Sequence, residues 1–203
     1  MKVPKALFLV ISFLIVPLYS VHAQIPDKDQ ESLIKPEVEI SSNIYWAVKA
    51  YHPDAKLLRV KAFDGQGNYY DVKAIQGSDD TSLLNVKALV DGKHLPIKLI
   101  IIEDDRYHPL KAITEDGKIM DIRAMTEEGL KLPIKGVSKT GNIIHLRAID
   151  DGLEYYNIIA ISPFGDVNQV KGLKMMDSDV EATISGVKIY AHVKAIKITS
   201  TDM

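Results

Sequence analysis

The chain has 203 residues, of which 46% are apolar and 7% aromatic, with 25 basic and 27 acidic side chains and a net charge of −2. A slightly acidic chain is a poor candidate for binding nucleic acid, because that affinity depends mainly on excess positive charge. The absence of cysteine excludes disulfides, a thiol nucleophile and lipid anchoring through a terminal cysteine.

The first 23 residues predict a secretory signal peptide. Lys2 and Lys5 precede an eleven-residue run that is apolar except for Ser12, and Val21 and Ala23 occupy the small-residue positions before a cleavage site. An uncleaved membrane anchor is the alternative, but this run is too short for a hydrocarbon core of about 30 Å. Cleavage after Ala23 removes two positive charges and takes the net charge from −2 to −4. The sequence therefore predicts a secreted or periplasmic protein.

The remainder divides into a short lead-in and one domain. Residues 24–43 are mostly polar and contain two prolines, which is typical of a flexible segment. Residues 44–203 are enough for a single domain with a sizeable core.

A short pattern recurs along this domain: a large aliphatic residue, then usually a basic residue, then usually alanine or glycine. Its copies centre on Lys49, Lys61, Lys73, Lys87, Lys98, Lys111, Arg123, Lys135, Arg147, Ile159, Lys171 and Lys194. Successive copies are 11 to 14 residues apart, except for a final gap of 23. A period this short cannot hold a helix–turn–helix unit, but it suits one strand and a tight turn.

Turn residues lie between the copies. Asp91 and Gly92 predict a two-residue loop with a mirror-image turn. Three-residue loops, each with glycine in the left-handed position, are predicted at 115–117, 127–129, 139–141 and 163–165. With loop 127–129 as the centre of a hairpin, Ala124 faces Leu132, and paired residues share a sheet face. The repeat and the turns thus predict the same antiparallel register.

Alternation along the strands gives the predicted sheet two different faces. One face is apolar and carries Met120, Ile122, Ala124, Leu132, Ile134, Gly136, Ile144, Leu146, Ala148, Tyr156, Ile158 and Ala160. A flat sheet would leave this face in water, at a cost of about 25 cal/mol per Å². The sequence therefore predicts an all-β fold, an up-and-down antiparallel meander of about 12 short strands rolled into a barrel or folded as a two-layer sandwich.

Two other architectures also fit the alternation. A transmembrane barrel also alternates, but its strands need about 9–11 residues and flanking aromatic girdles, and this chain is poor in aromatic residues. A single-layer sheet of hairpins, with both faces partly wet, is the second, because aliphatic residues also lie near the ends of the charged face.

Acidic loops suggest a calcium site. In a meander the loops alternate between two ends, and one end receives most of the carboxylates. The candidate ligands are Asp79, Asp80, Asp104, Asp105, Glu127, Glu128, Asp150 and Asp151. Calcium prefers such oxygen ligands. The simpler interpretation is that these are ordinary turn residues, and no loop has the spacing of a known calcium motif. No other cofactor is predicted.

The repeated basic residues suggest a second site. Because they occupy the same place in every unit, they should form a belt across the charged face, suited to an anionic glycan or lipid head group. The candidate ligand-binding residues are Lys61, Lys73, Lys111, Arg123, Lys135 and Arg147. The predicted register places Asp71 opposite Lys61, and Asp121 opposite Lys111 and Lys135, which neutralises part of the belt. The simpler interpretation is a solvated face that prevents edge-to-edge aggregation.

Catalytic motifs are lacking in the sequence. It contains no GxSxG nucleophile elbow, no phosphate-binding GxxxxGK[ST] loop and no HExxH zinc motif. The sequence therefore predicts no catalytic residues and a protein that is not an enzyme.

Two repeat units carry a resemblance. Segments 70–75 and 132–137 resemble those of uncharacterised exported β-repeat proteins, a domain of unknown function, from Bacteroidota-type bacteria. The resemblance covers residues 44–198 and implies export and a β-rich fold. Together these features predict a non-catalytic secreted or periplasmic protein with a binding or scaffolding role at the cell envelope. A carrier of a small apolar ligand inside a closed barrel and an outer-membrane barrel are the alternatives.

Overall fold

The computed structural model describes residues 43–55, 57–103, 105–149 and 155–197. The predicted signal peptide, nearly all of the predicted lead-in and the last six residues of the predicted domain lie outside the described residues.

The described residues form an all-β, wholly antiparallel sheet without helices, as predicted. Thirteen strands are present, one more than the repeat count, because a short hairpin fills the final gap in the repeat. The strands are β1 (Ile44–Tyr51), β2 (Leu58–Phe63), β3 (Tyr69–Gln76), β4 (Leu83–Val90), β5 (Lys93–Ile100), β6 (His108–Ile113), β7 (Ile119–Met125), β8 (Lys131–Thr140), β9 (Ile143–Ile149), β10 (Tyr155–Ile161), β11 (Val167–Leu173), β12 (Ala182–Ile184) and β13 (Val187–Ile196).

The strands fall into four groups of three. Within a group, every strand pairs with both of the others. The groups are A (β1, β2, β3), B (β4, β5, β13), C (β6, β7, β8) and D (β9, β10, β11). Strand β12 pairs only with β13.

Each group is joined to each of the other three by one further strand pairing. The four groups are therefore connected like the four corners of a tetrahedron. The links are β3–β4, β2–β7, β1–β10, β5–β6, β11–β13 and β8–β9. Each of the twelve repeat strands therefore has three partners among the other repeat strands, and β13 has β12 as a fourth. Among the described strands, only β12 lies at an edge, and the sheet closes on itself without long crossovers.

The predicted apolar face forms the core. In each repeat strand the residues before and after the central position point inward; they are a large aliphatic residue and, in every strand but one, alanine or glycine. They join one cluster that includes Trp46, Ile97 and Leu146. The carrier alternative predicted an interior void lined by Ile122, Ile134, Leu146 and Ile158; all four are at most 2% exposed and belong to this packed cluster.

One repeat strand breaks the small-residue rule, and its neighbours compensate. In β5 the small position is occupied by Leu99, which is fully buried. The corresponding positions of β8 and β11 are Gly136 and Gly172. A Cβ atom added at Gly172 would lie 2.7 Å from Leu99 Cδ1, and one added at Gly136 would lie 3.0 Å from the same atom. The two glycines therefore provide the space that the larger side chain occupies.

The turns mostly follow the sequence. Asp91 and Gly92 both have positive φ, as a mirror-image two-residue turn requires. The predicted three-residue loops at 115–117, 127–129 and 163–165 are each closed by a backbone bond across their ends, such as that from Thr114 N–H to the Lys118 carbonyl at 2.9 Å. The predicted loop 139–141 is wrong, because β8 continues to Thr140 and the turn is at 141–142. A bulge between Gly136 and Ser138 shifts the register there.

The predicted register holds over part of each hairpin. Ala124 pairs with Leu132, as predicted, but the ladder ends one pair further on, at Arg123 and Pro133, because β6 then pairs with β7 and with β8. Each strand thus pairs with its sequence neighbour over only part of its length and with another strand over the rest.

Candidate functional site

The basic position of each repeat strand points away from the core, and the grouping of the strands gathers these residues into four basic clusters. Cluster A comprises Lys49, Lys61 and Lys73 together with Arg59, which lies opposite Lys49; cluster B comprises Lys87, Lys98 and Lys194; cluster C comprises Lys111, Arg123 and Lys135; cluster D comprises Arg147 and Lys171, because the third position there is Ile159. Basic residues also face one another across the links, as Lys73 does Lys87. The predicted belt is thus divided among the four groups.

Cluster A contains one carboxylate, that of Asp71. It forms an ion pair with Lys61, as predicted, and lies 3.8 Å from Lys73 Nζ. The hydrogen bond from Lys61 holds the pKa of Asp71 below its ordinary value, against the opposing effect of burial. Burial, together with the charges of Lys73, Arg59 and Lys61, lowers the pKa of Lys49. Two of the four basic side chains, Lys61 and Lys73, therefore lie within ion-pair distance of Asp71.

Cluster C is the most nearly neutral. Asp121 lies opposite Lys111 and accepts hydrogen bonds from Lys111 and from Arg123 Nη2, the latter at 2.5 Å. Burial opposes ionisation of Asp121, but these hydrogen bonds and charges lower its pKa overall. The predicted pairing of Asp121 with Lys135 is wrong: Lys135 lies opposite Pro109 and Arg147, and its Nζ is 2.9 Å from Asp105 Oδ1.

Cluster B contains a lysine in contact with a histidine. Lys98 Nζ lies 2.5 Å from His192 Nδ1. Burial, together with the charges of Lys87 and Lys194, lowers the pKa of Lys98 to about 8. On the other side of the ring, His192 Nε2 lies 3.8 Å from Oε1 of Glu181, whose side chain is 2% exposed. The second oxygen of Glu181 has no hydrogen-bond partner among the described residues.

Cluster D repeats the lysine–histidine contact. Lys171 Nζ lies 3.2 Å from His145 Nδ1, and His145 Nε2 lies 3.1 Å from Thr140 Oγ1. Burial, with the charge of Arg147, lowers the pKa of Lys171 to about 8. Arg147 Nη1 donates to the Leu146 carbonyl at 3.0 Å. Among the described residues, no carboxylate lies within ion-pair distance of Lys171 or Arg147.

The six predicted ligand-binding residues differ in their charge environment. Five have a carboxylate partner: Lys61, Lys73, Lys111, Arg123 and Lys135. The sixth, Arg147, lies in cluster D. The lysine–histidine contacts were not predicted from the sequence. One signal was available, since His145 and His192 each precede a basic repeat position by two residues, as Asp71 and Asp121 do.

The predicted calcium ligands are placed only in part. Asp104, Asp150 and Asp151 lie outside the described residues. Asp80 Oδ1 accepts the Ser82 backbone N–H at 2.8 Å, and Asp105 pairs with Lys135. Within the described ranges, no three or more acidic or histidine side chains are grouped closely enough to hold a metal ion. The involvement of Asp79, Glu127 and Glu128 in a calcium site therefore stays a prediction.

Comparison with known proteins identifies a family but no activity. The model of a family of unknown function, DUF7486, matches residues 42–196. No curated protein and no solved structure matches the chain. Within the described residues, no helix is long and apolar enough to cross a membrane.

Proposed function

The chain belongs to this family of unknown function, and we propose from its geometry that it is an exported, non-catalytic protein of the cell envelope that binds an anionic polymer, such as an acidic glycan. The observation that carries the proposal is the gathering of basic side chains into four clusters in which, among the described residues, they outnumber the carboxylates.

The cost of assembling the clusters supports binding. Burial and like charges lower the pKa values of Lys49, Lys98 and Lys171, so the folded protein disfavours their charged forms. An anion placed over such a cluster relieves this repulsion. A solvated surface lysine gains much less from pairing with an anion, because water already stabilises its charge.

The arrangement favours a polymer over a flat surface. Each group is joined directly to the other three, so the four clusters lie on different sides of one closed sheet. A flexible polyanion can contact several clusters of one molecule, and each additional contact then forms at high effective concentration. A planar membrane cannot touch all four clusters at once.

Retention on immobilised alginate, a polymer of uronic acids, tests the proposal. We expect the purified protein to be retained at low salt and to elute as salt screens the charges, whereas neutral dextran should not retain it. Failure to bind any immobilised polyanion at low salt would reject the proposal. Binding to vesicles of phosphatidylglycerol but not to alginate would identify a lipid ligand instead.

Charge-matched variants separate clustered charge from net charge. Lys87→Gln combined with Lys98→Gln removes two charges from cluster B. The control combines Lys93→Gln with Lys118→Gln, which removes two charges from lysines that are 62% and 81% exposed. The cluster variant should elute at clearly lower salt than the control. Equal shifts would show that only net charge matters.

Export is a separate part of the proposal. The signal-peptide pattern supports it, and the mature protein recovered from the host should begin at Gln24. N-terminal sequencing of the mature protein checks this, and a start at Met1 would contradict it. The bacterial group expected from the resemblance stays a prediction.

A further inference from the structure

Cluster D borders a surface cavity of about 280 Å³. At this cavity β11 lies between β9 and β13, because Lys171 pairs with His145 of β9 and Gln169 pairs with Ile196 of β13. The polar residues that line the cavity are Lys171, Lys197, His145, Gln169 and Thr140, and Ile143 and Ile196 form its apolar wall. The cavity thus combines two amines, an imidazole, a hydroxyl and an amide with an apolar wall.

The contacts in this cavity fix the roles of the polar groups. Burial, with the charges of Lys171 and Arg147, lowers the pKa of His145 and so favours the neutral form of its ring. With Lys171 charged, the ammonium donates to Nδ1, and Nε2–H then points to Thr140 Oγ1. The ring therefore lies between the amine and a hydroxyl that can pass a proton on.

The amine of Lys171 is available as a nucleophile. Its pKa falls from an ordinary 10.5 to about 8, because burial and the charge of Arg147 disfavour the ammonium. At pH 7 the neutral fraction is therefore on the order of a few hundred times that of an unperturbed lysine. Lysines desolvated beside another cationic group are activated in this way toward carbonyl compounds.

We propose that Lys171 captures a small carbonyl compound carrying an anionic group, through a reversible imine formed inside this cavity. The neutral amine attacks the carbonyl carbon and a C–N bond forms. The carbonyl oxygen then leaves as water with the two amine hydrogens, so no oxidant or reductant is needed. His145 relays protons during these transfers, and the positive charges of cluster D and of Lys197, which lines the cavity, attract the anionic group. This inference rests on the proposed function only in taking cluster D to attract anions.

Pyridoxal 5′-phosphate, which carries an aldehyde and a phosphate, is a suitable probe. The intact protein is incubated with it, the imine is reduced with borohydride, and labelled peptides are identified by mass spectrometry. We expect labelling of Lys171 at pH 7 at least about tenfold faster than that of the exposed Lys93, and a rate that levels off above about pH 8.

Two variants and one analogue make the outcome specific. Lys171→Arg keeps the positive charge and should abolish this label, whereas Lys111→Arg in cluster C should leave it unchanged. Pyridoxine 5′-phosphate lacks the aldehyde and should compete with the probe at Lys171. Equal labelling rates at Lys171 and Lys93, or no levelling of the rate near pH 8, would overturn the inference. Retention on alginate is measured separately, so the imine can fail while the proposed function stands.

Discussion

Replacing Gly172 by alanine adds one methyl group at a point where three strands meet. The added Cβ would lie 2.7 Å from Leu99 Cδ1 and 2.9 Å from Ile144 Cβ. The leucine methyl could rotate away, but Ile144 Cβ is fixed to the backbone of β9, so strands must move apart. Overpacking of this kind costs about 1–3 kcal/mol of the free energy of unfolding.

The same reasoning predicts coupling with Leu99. Leu99→Ala alone restores the small residue of the repeat but leaves a cavity, which should cost about 2–5 kcal/mol. In the double variant Leu99→Ala/Gly172→Ala, the new methyl group occupies part of that cavity and its closest clash is removed. The double variant should therefore be more stable than the sum of the single effects indicates, by at least about 1 kcal/mol. The rescue is partial because the contact with Ile144 remains.

Urea unfolding followed by tryptophan fluorescence measures these effects. Trp46 is the sole tryptophan and is 1% exposed, so its emission reports loss of the core. Gly65→Ala is the matched control, since a Cβ at Gly65 meets nothing within 4 Å. It should be neutral or stabilising by up to about 1 kcal/mol, because alanine restricts the unfolded chain. If the loss of unfolding free energy in the double variant equals the sum of the two single losses within about 0.5 kcal/mol, Leu99 and Gly172 do not compensate for each other and the reasoning is refuted.

Three further predictions concern charge and turn chemistry. Asp121→Asn should destabilise the protein by on the order of 1 kcal/mol at pH 7, since it removes a partially exposed ion-pair partner. The pKa of Asp121 is lower in the folded protein than in the unfolded chain, so the variant's loss of unfolding free energy relative to wild type should shrink as pH falls below about 4. A loss in urea unfolding that stays constant with pH would contradict this. Lys98→Met should be more stable than wild type at pH 7. The folded pKa of Lys98 is about 8, against an ordinary 10.5. Between these two pH values the unfolded wild-type chain binds one proton more than the folded protein, so the free energy of unfolding should increase as pH rises, and the variant should lack this increase. A parallel increase in both proteins would argue against the prediction. Ser162→Ala should lower the melting temperature and cost about 1–2 kcal/mol of unfolding free energy, because Ser162 Oγ accepts hydrogen bonds from the N–H of Phe164 at 3.2 Å and of Asp166 at 2.9 Å. An unchanged melting curve would show that the turn forms without these two bonds.

The local features of the fold could be predicted because they depend on neighbours in sequence. Alternation along a strand identified the inward-facing residues, including Ile122 and Ala124, and the position of glycine identified most turns. The loop predicted at 139–141 was wrong because the bulge after Gly136 extends β8, and nothing local marks that bulge.

The candidate site was less accessible to the sequence. Repetition showed that the basic residues share one face, but not that they divide into four clusters. Lys171 precedes Ile196 and follows His145 by more than twenty residues, and only the pairing of β11 with both β9 and β13 brings these residues to one cavity. Such pairings depend on which strand ends remain free after the hairpins have formed.

The sequence by itself determined the strands, their two faces and the antiparallel hairpins, because a twelve-residue period and turn glycines act over a few neighbours. The tertiary structure decided the third partner of each strand. That choice follows from closing the sheet around one core, where a large Leu99 needs glycine at positions 136 and 172. It also decided which lysines have carboxylate partners and which, like Lys171, face a histidine and a cavity, because charges distant in sequence meet only after closure.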